Sequence, residues 1–134
     1  MLQLTKQFAD EMTAHAQTNF PKECCGILAG TDDHRVLKLY RITNVEHSPY
    51  RYLMAPREQY EAMKDCERNN WEFIAFYHSH THSEAYPSAT DIRMASNWPD
   101  PYYILVSLAD KEHPNVRAFH ILDGQVTEEE LQII

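Results

Sequence analysis

Residues 71–80 read WEFIAFYHSH, with apolar side chains at both parities from Phe73 to Tyr77. That pattern marks a strand covered on both faces, and such a strand lies in the middle of its sheet. Upstream of it, Pro56 fits the first turn of a helix running to about Asn69, with Tyr60 and Met63 on one side and Asn69-Asn70 ending it. Farther upstream, CGILAG (25–30) and RVLKLYRI (35–42) are short apolar or alternating runs separated by Thr-Asp-Asp-His, which predicts a hairpin. Phe8, Ala9, Met12 and Ala16 predict an amphipathic helix over 5–19 that Pro21 closes. Downstream, a Ser/Pro-containing loop leads to a short helix at about 88–96. YYILVSL (102–108) and VRAFHIL (116–122) then read as strands, with Asp123-Gly124 as a hairpin turn. Helices and strands do not alternate regularly, so the expected fold is a single α/β domain over 1–134, a mixed central sheet flanked by helices.

A chain of 134 residues suits one domain and one core. Its net charge of -8 offers no basic footprint for a phosphate backbone, so a nucleic-acid partner is not expected. Cys24, Cys25 and Cys66 are odd in number and include an adjacent pair, a poor disulfide framework that suits a reducing, cytoplasmic compartment. The N-terminal MLQLTKQFADEMTAH lacks the basic-then-apolar order of a signal peptide. No run approaches the ~18 apolar residues of a membrane span, so no membrane partner is expected either. The sequence carries no reading of oligomeric state.

His78-Ser79-His80 ends the central strand. Strand side chains alternate faces, so both imidazoles project to one side from Cα atoms about 6.5 Å apart, while Ser79 points away. Two rings at that spacing can converge on one zinc, at Zn–N distances of about 2.0–2.1 Å. After seven further residues comes Ser88-Ala-Thr-Asp91. If this opens a helix, positions three apart share a face, and Asp91 becomes the third ligand. Two histidines and a carboxylate leave a fourth position for water, as in catalytic rather than structural zinc sites. A proton acceptor is still needed, and no carboxylate stands beside the histidines. Singly, these signals are ordinary: His-x-His on a strand, a Ser-x-x-Asp cap and a glutamate at a strand edge each have unremarkable readings. Their conjunction, at the spacing of the family whose motif they resemble, is what points to one zinc per chain.

His-Ser-His, seven residues, then Ser-x-x-Asp resembles the JAMM motif of MPN-plus metallopeptidases. The upstream P-x-E-x-C-G-x-L-x-G context of that family is matched by Pro21-Lys-Glu23-Cys-Cys25-Gly26-Ile-Leu28-Ala-Gly30. Asn44, Pro56 and the strand holding Ser107 also fall where short prokaryotic members have similar features, so the resemblance covers nearly the whole chain. It implies an MPN-like domain of cytidine-deaminase-like architecture and a zinc peptidase or isopeptidase. Glu23 would deprotonate the attacking water and later protonate the leaving amine, and Ser88 would hydrogen-bond the oxyanion. One departure stands out: members commonly have proline after His-Ser-His, whereas Thr81-His82 follow here. His82, on the loop, is expected to stay out of the ligand set.

The resemblance extends to substrate. Stand-alone prokaryotic members look like enzymes acting at the Gly-Gly tail of ubiquitin-like or β-grasp sulfur-carrier proteins. Such a tail can bind as an added strand, and the segment from Val45 to Tyr52 is the candidate edge for it. Tyr77 and Tyr86 have two readings, lining a substrate groove or packing at the sheet end. Cys24 and Cys25, as strand neighbours, face opposite ways and are expected in the core. A zinc deaminase is the competing enzyme, because His82-Ser-Glu84 matches its H-x-E element. It fails on ligands, since no cysteine follows Cys66. A catalytically silent MPN scaffold is the competing binding module, but such domains lack part of the metal motif and this chain lacks none of it.

Overall fold

In a computed structural model that describes residues 1–134, the chain opens with a three-residue strand, β1 (Leu2–Leu4). Thr5 then caps helix α1 (Lys6–Asn19), its hydroxyl accepting from Phe8 N, and Met12, His15 and Ala16 form the buried face. Strands β2 (Cys25–Gly30) and β3 (Val36–Ile42) make the expected antiparallel hairpin. Helix α2 (Pro56–Asn69) starts at its proline and stops where Asn70 adopts the left-handed conformation, as an asparagine at that position allows. Its inner face differs from the expected one. Ala62 and Cys66, four apart, are buried, whereas Tyr60 is exposed. Two small side chains let the helix lie close on the sheet, and the tyrosine ring has room only outside.

Strand β4 (Glu72–His80) is buried from Ile74 to its end. It lies between β2, to which it is antiparallel, and β5 (Tyr102–Ser107), to which it is parallel. A short helix, α3 (Ala89–Met94), and a 3-10 turn (Ala95–Asn97) fill the crossover. Strands β6 (Asn115–Leu122) and β7 (Gln125–Glu129) follow, joined at Asp123-Gly124, where both residues have positive φ as a tight hairpin turn demands. The main sheet therefore runs β3-β2-β4-β5-β6-β7, a mixed sheet with β4 near its middle.

The sequence did not announce the small second sheet. Strand β8 (Leu131–Ile133) pairs in parallel with β1, Leu2 opposite Leu131 and Leu4 opposite Ile133, so the two chain ends close against each other. Leu2 and Leu4 go into the same core as α1, Tyr77, Ile104 and Val106. The opposite face of the main sheet packs Cys25, Ile27, Phe76 and Tyr103 against Ala62 of α2. Cys24 and Cys25 fall into these two different cores, as strand alternation requires. All three cysteines are free and buried. No helix is long and apolar enough to cross a membrane.

Candidate metal centre

Alternation along β4 from Phe76 puts His78 and His80 on the sheet face covered by α2 and α3. Ser88 caps α3 by accepting from Asp91 N (3.1 Å), and the Asp91 carboxylate reaches back to Ser88 N (2.9 Å). This capping box turns the Asp91 carboxylate towards the histidines. Its Oδ2 lies 3.1 Å from both His78 Nε2 and His80 Nε2. Ligand-type atoms of His78, His80 and Asp91 all lie within 4.8 Å of one another.

The bonding at His80 tests whether a cation suits this place. His80 Nδ1 faces the Glu84 carbonyl at 2.9 Å, so the hydrogen-bond network assigns the ring proton to Nδ1. Nε2 then directs a lone pair at a carboxylate oxygen, a contact that is favourable only with a positive charge between or on the two groups. Metal-bound histidines commonly show this arrangement, the second ring nitrogen donating to a carbonyl while the first faces the ion. Two imidazoles and one carboxylate, buried or nearly so, form a donor set that fits zinc. Without the ion, burial works to raise the Asp91 carboxyl, but His78, His80 and the Ser88 amide outweigh it and hold the group well below the usual carboxylate range.

Glu23 is brought to the site by strand pairing. The β2–β4 register sets Cys25 against His78, and two bonds at the strand ends extend it: Ser79 N donates to Cys24 O (3.1 Å) and Cys24 N donates to Ser79 Oγ (2.8 Å). Continuing the register places Glu23 opposite His80 and on the same face. Ser79, which points away from the ligands, thus locks the strand end that carries Glu23. The Glu23 side chain is almost wholly buried, and its Oε1 has no hydrogen-bond partner. Burial pushes its carboxyl up to about 8, with His80 pulling it down and Asp91 adding to the rise. A carboxyl so placed can hold a proton near neutral pH, which suits a group that must both accept and return one.

A loop over 43–55 straps the site. Asn44, buried, spends its whole side chain there: Nδ2 donates to Glu23 O and Arg51 O (both 3.1 Å), and Oδ1 accepts from Glu46 N and Leu53 N (both 3.0 Å). Ser48 O accepts from Glu23 N (2.8 Å), and Pro49 O accepts from Thr81 Oγ1 (3.0 Å). Tyr52 stacks on the His78 ring, with centroids 4.4 Å apart. The segment from Val45 to Tyr52, expected as an edge for an added strand, forms no strand, and several of its backbone groups are bonded within the protein. Val45 N, for one, donates to Leu53 O. Tyr77 does not line a groove. Strand alternation sends its ring into the α1 core, where its hydroxyl meets His15 Nδ1 at 2.7 Å. Tyr86 is partly exposed and packs edge-on against Phe119. His82 is exposed on the loop with its Nδ1 2.9 Å from Thr81 Oγ1, outside the ligand cluster. Asn44 and the Glu84 carbonyl had no local signal in the sequence that would assign them these roles. Beside His78 and Asp91 opens a cleft of about 180 Å³, walled by Tyr52, Met54, Phe76, Met94, Trp98 and Tyr103.

Two strand-end histidines, a helix-cap aspartate with its serine, and a buried glutamate on the neighbouring strand together form the constellation of the JAMM class. The family described as prokaryotic homologs of the JAB domain matches residues 5–122. The CysO-cysteine peptidase of Mycobacterium tuberculosis is 37% identical over 135 residues, covering 100% of this chain and 92% of its own. The desampylase of Haloferax volcanii is 35% identical over 112 residues, covering 79% of this chain and 80% of its own. A Desulfitobacterium hafniense protein of known solution structure superposes with a TM-score of 0.90 at 39% identity, covering 100% of this chain and 93% of that one. The chain belongs to the prokaryotic JAB family. Its enzyme class is that of the JAMM-type isopeptidases.

Proposed function

We propose that the chain uses one zinc ion, held by His78, His80 and Asp91, to hydrolyse the amide bond after the Gly-Gly tail of a ubiquitin-like or β-grasp sulfur-carrier protein. The convergence of three ligand atoms within 4.8 Å, beside a buried glutamate, carries this reading. A zinc ion in that place supplies Lewis acidity, making water acidic and polarising the scissile carbonyl. The chain's own groups do the rest. Glu23 accepts a proton from the attacking water and delivers it to the leaving nitrogen. Ser88 Oγ accepts from Asp91 N, which leaves its O–H to donate to the oxyanion. The Glu84 carbonyl and the Tyr52 ring hold the two imidazoles in place.

Two relatives named for CysO-cysteine and for desampylation support a substrate of the ubiquitin-like kind. A cleft of about 180 Å³ beside the ligands is narrow, and glycine's missing side chain suits a backbone that must pass close to its walls. Three buried free cysteines are in keeping with a reducing, cytoplasmic setting. The test pairs metal analysis of the purified protein with cleavage of matched carriers bearing Gly-Gly or Ala-Ala before the cut, alongside a generic unfolded protein. Expected are one zinc per chain, preference for Gly-Gly and loss of activity with chelator. Equal hydrolysis of all three substrates would remove the tail reading, and absence of both zinc and hydrolysis would return the chain to the silent scaffold.

A further inference from the structure

Ser107 is a buried polar residue, 4% exposed, on the strand next to the one that carries the histidines. In the parallel β4–β5 register it stands beside His80, as Tyr103 stands beside Phe76. Alternation from Tyr103 therefore turns its side chain to the face that holds the ligands. Its hydroxyl accepts from Ala109 N (3.2 Å) and donates to Ser83 O (2.6 Å), in the 81–87 loop. The next residue of that loop supplies the Glu84 carbonyl that receives the His80 ring proton. One residue farther on, Ala85 is wholly buried and packs with Leu105 and Phe119. The Glu84 carbonyl is thus bracketed by two fixed neighbours, a hydrogen bond at Ser83 and an apolar contact at Ala85. Glu84 itself is exposed, so its own side chain does not fix the peptide.

A histidine that ligates a metal needs its second ring nitrogen held, since that bond sets which nitrogen carries the proton and where the ring points. Here the holding group is a main-chain carbonyl, whose direction no side chain of its own can encode. Another residue must place it. From outside the 81–87 loop, two hydrogen bonds reach residues 82–87: the one from His80, which needs the carbonyl in place, and the one from Ser107. Resting on the zinc reading above, we infer that Ser107 is a positioning residue for the metal. Its bond to Ser83 O directs the Glu84 carbonyl at His80 Nδ1, and so keeps His80 Nε2 turned to the ion. The serine touches neither ion nor substrate. Leu108 N, which donates to His80 O (2.9 Å), ties the same histidine through the main chain and remains in any variant of the serine.

The experiment measures zinc affinity by competition with a chelator of known strength. It compares the natural full chain with Ser107→Ala, Ser107→Thr and a control, Leu2→Ala, which deletes core packing in β1 at the far end of the sheet. Ser107→Ala should bind zinc about tenfold more weakly, the lower end of the range for removing an outer partner of a metal-bound histidine. Ser107→Thr keeps the hydroxyl and should retain most of the affinity. Leu2→Ala should lose melting temperature but not affinity. A second measurement needs no metal: Tyr86 N donates to Glu84 O (2.9 Å), and its amide hydrogen exchange should be faster in metal-free Ser107→Ala than in metal-free Leu2→Ala. Natural affinity in Ser107→Ala, equal weakening in Ser107→Thr, or as large a loss in Leu2→Ala would overturn the proposal. No zinc binding by the natural chain would instead strike at the metal reading, and unchanged Tyr86 exchange in Ser107→Ala would strike at the hold on the loop alone.

Discussion

Replacing Glu23 by glutamine should make the metal-free protein relatively more stable as the pH rises, while disabling the enzyme. In the metal-free folded chain, burial holds the proton on Glu23 up to about pH 8, whereas the ordinary value of an exposed glutamate is 4.5. Between those two values the folded state binds one proton more than the unfolded state, so stability falls as pH rises and stays lowered above about 8. At about 1.36 kcal/mol per pK unit, the loss across that window is about 3–5 kcal/mol. Glutamine has no proton to lose, so this component vanishes in Glu23→Gln. His80 adds a loss of the same sign: burial opposes its protonation, but Asp91 and the Glu84 carbonyl raise it, and that stabilisation fades with rising pH. The parts due to Asp91 and the Glu84 carbonyl act in both proteins, while the smaller part that Glu23 itself adds is lost in the variant, so the comparison reads Glu23 together with its coupling to His80. The assay is urea unfolding of chelator-dialysed natural chain and variant at about pH 5 and about pH 8.5, reading the pH dependence and not the absolute values. Zinc-loaded variant should turn over about a hundredfold more slowly or worse. Parallel pH dependences for the two proteins would refute the claim that Glu23 is buried at a cost in the absence of metal.

His78→Ala/His80→Ala should abolish stoichiometric zinc by elemental analysis, and full occupancy in that variant would falsify the ligand assignment. Ser88→Ala should lower kcat about tenfold or more with a smaller change in KM, since an oxyanion donor acts in the transition state, and should cost about 1 kcal/mol as a lost cap. A loss confined to thermal stability would leave Ser88 only its capping role. Gly26→Ala should destabilise the fold by about 2–4 kcal/mol, because a Cβ there overlaps the buried Tyr77 ring and hydroxyl and breaks the bond to His15. A near-natural melting temperature would mean that the ring has somewhere else to go.

Much of this protein was legible from local pattern. The doubly apolar run before His78 predicted a buried strand, and β4 is buried from Ile74 onward. Pro56, Asn70 and the Asp123-Gly124 turn act within a few residues of themselves, so their effects could be read without a partner. His78, His80 and Asp91 belong to the same group, because a two-residue strand period and a three-residue helix period set their directions before any tertiary contact forms. What the three-dimensional fold decided depends on residues far apart in the chain. Glu23 becomes useful only because β2 pairs with β4 in one register and Ser79 locks the end of that pairing. The union of β1 with β8 joins segments about 130 residues apart, each too short to carry a periodic signal. The segment from Val45 to Tyr52, expected as an edge for an added strand, is instead an irregular loop tied down by the four bonds of Asn44. Neither Tyr60's exposure nor Tyr77's burial follows from their aromatic character, since both depend on which face of an element the assembled sheet covers. Periodicity orients a side chain relative to its own backbone; only packing says what lies in that direction.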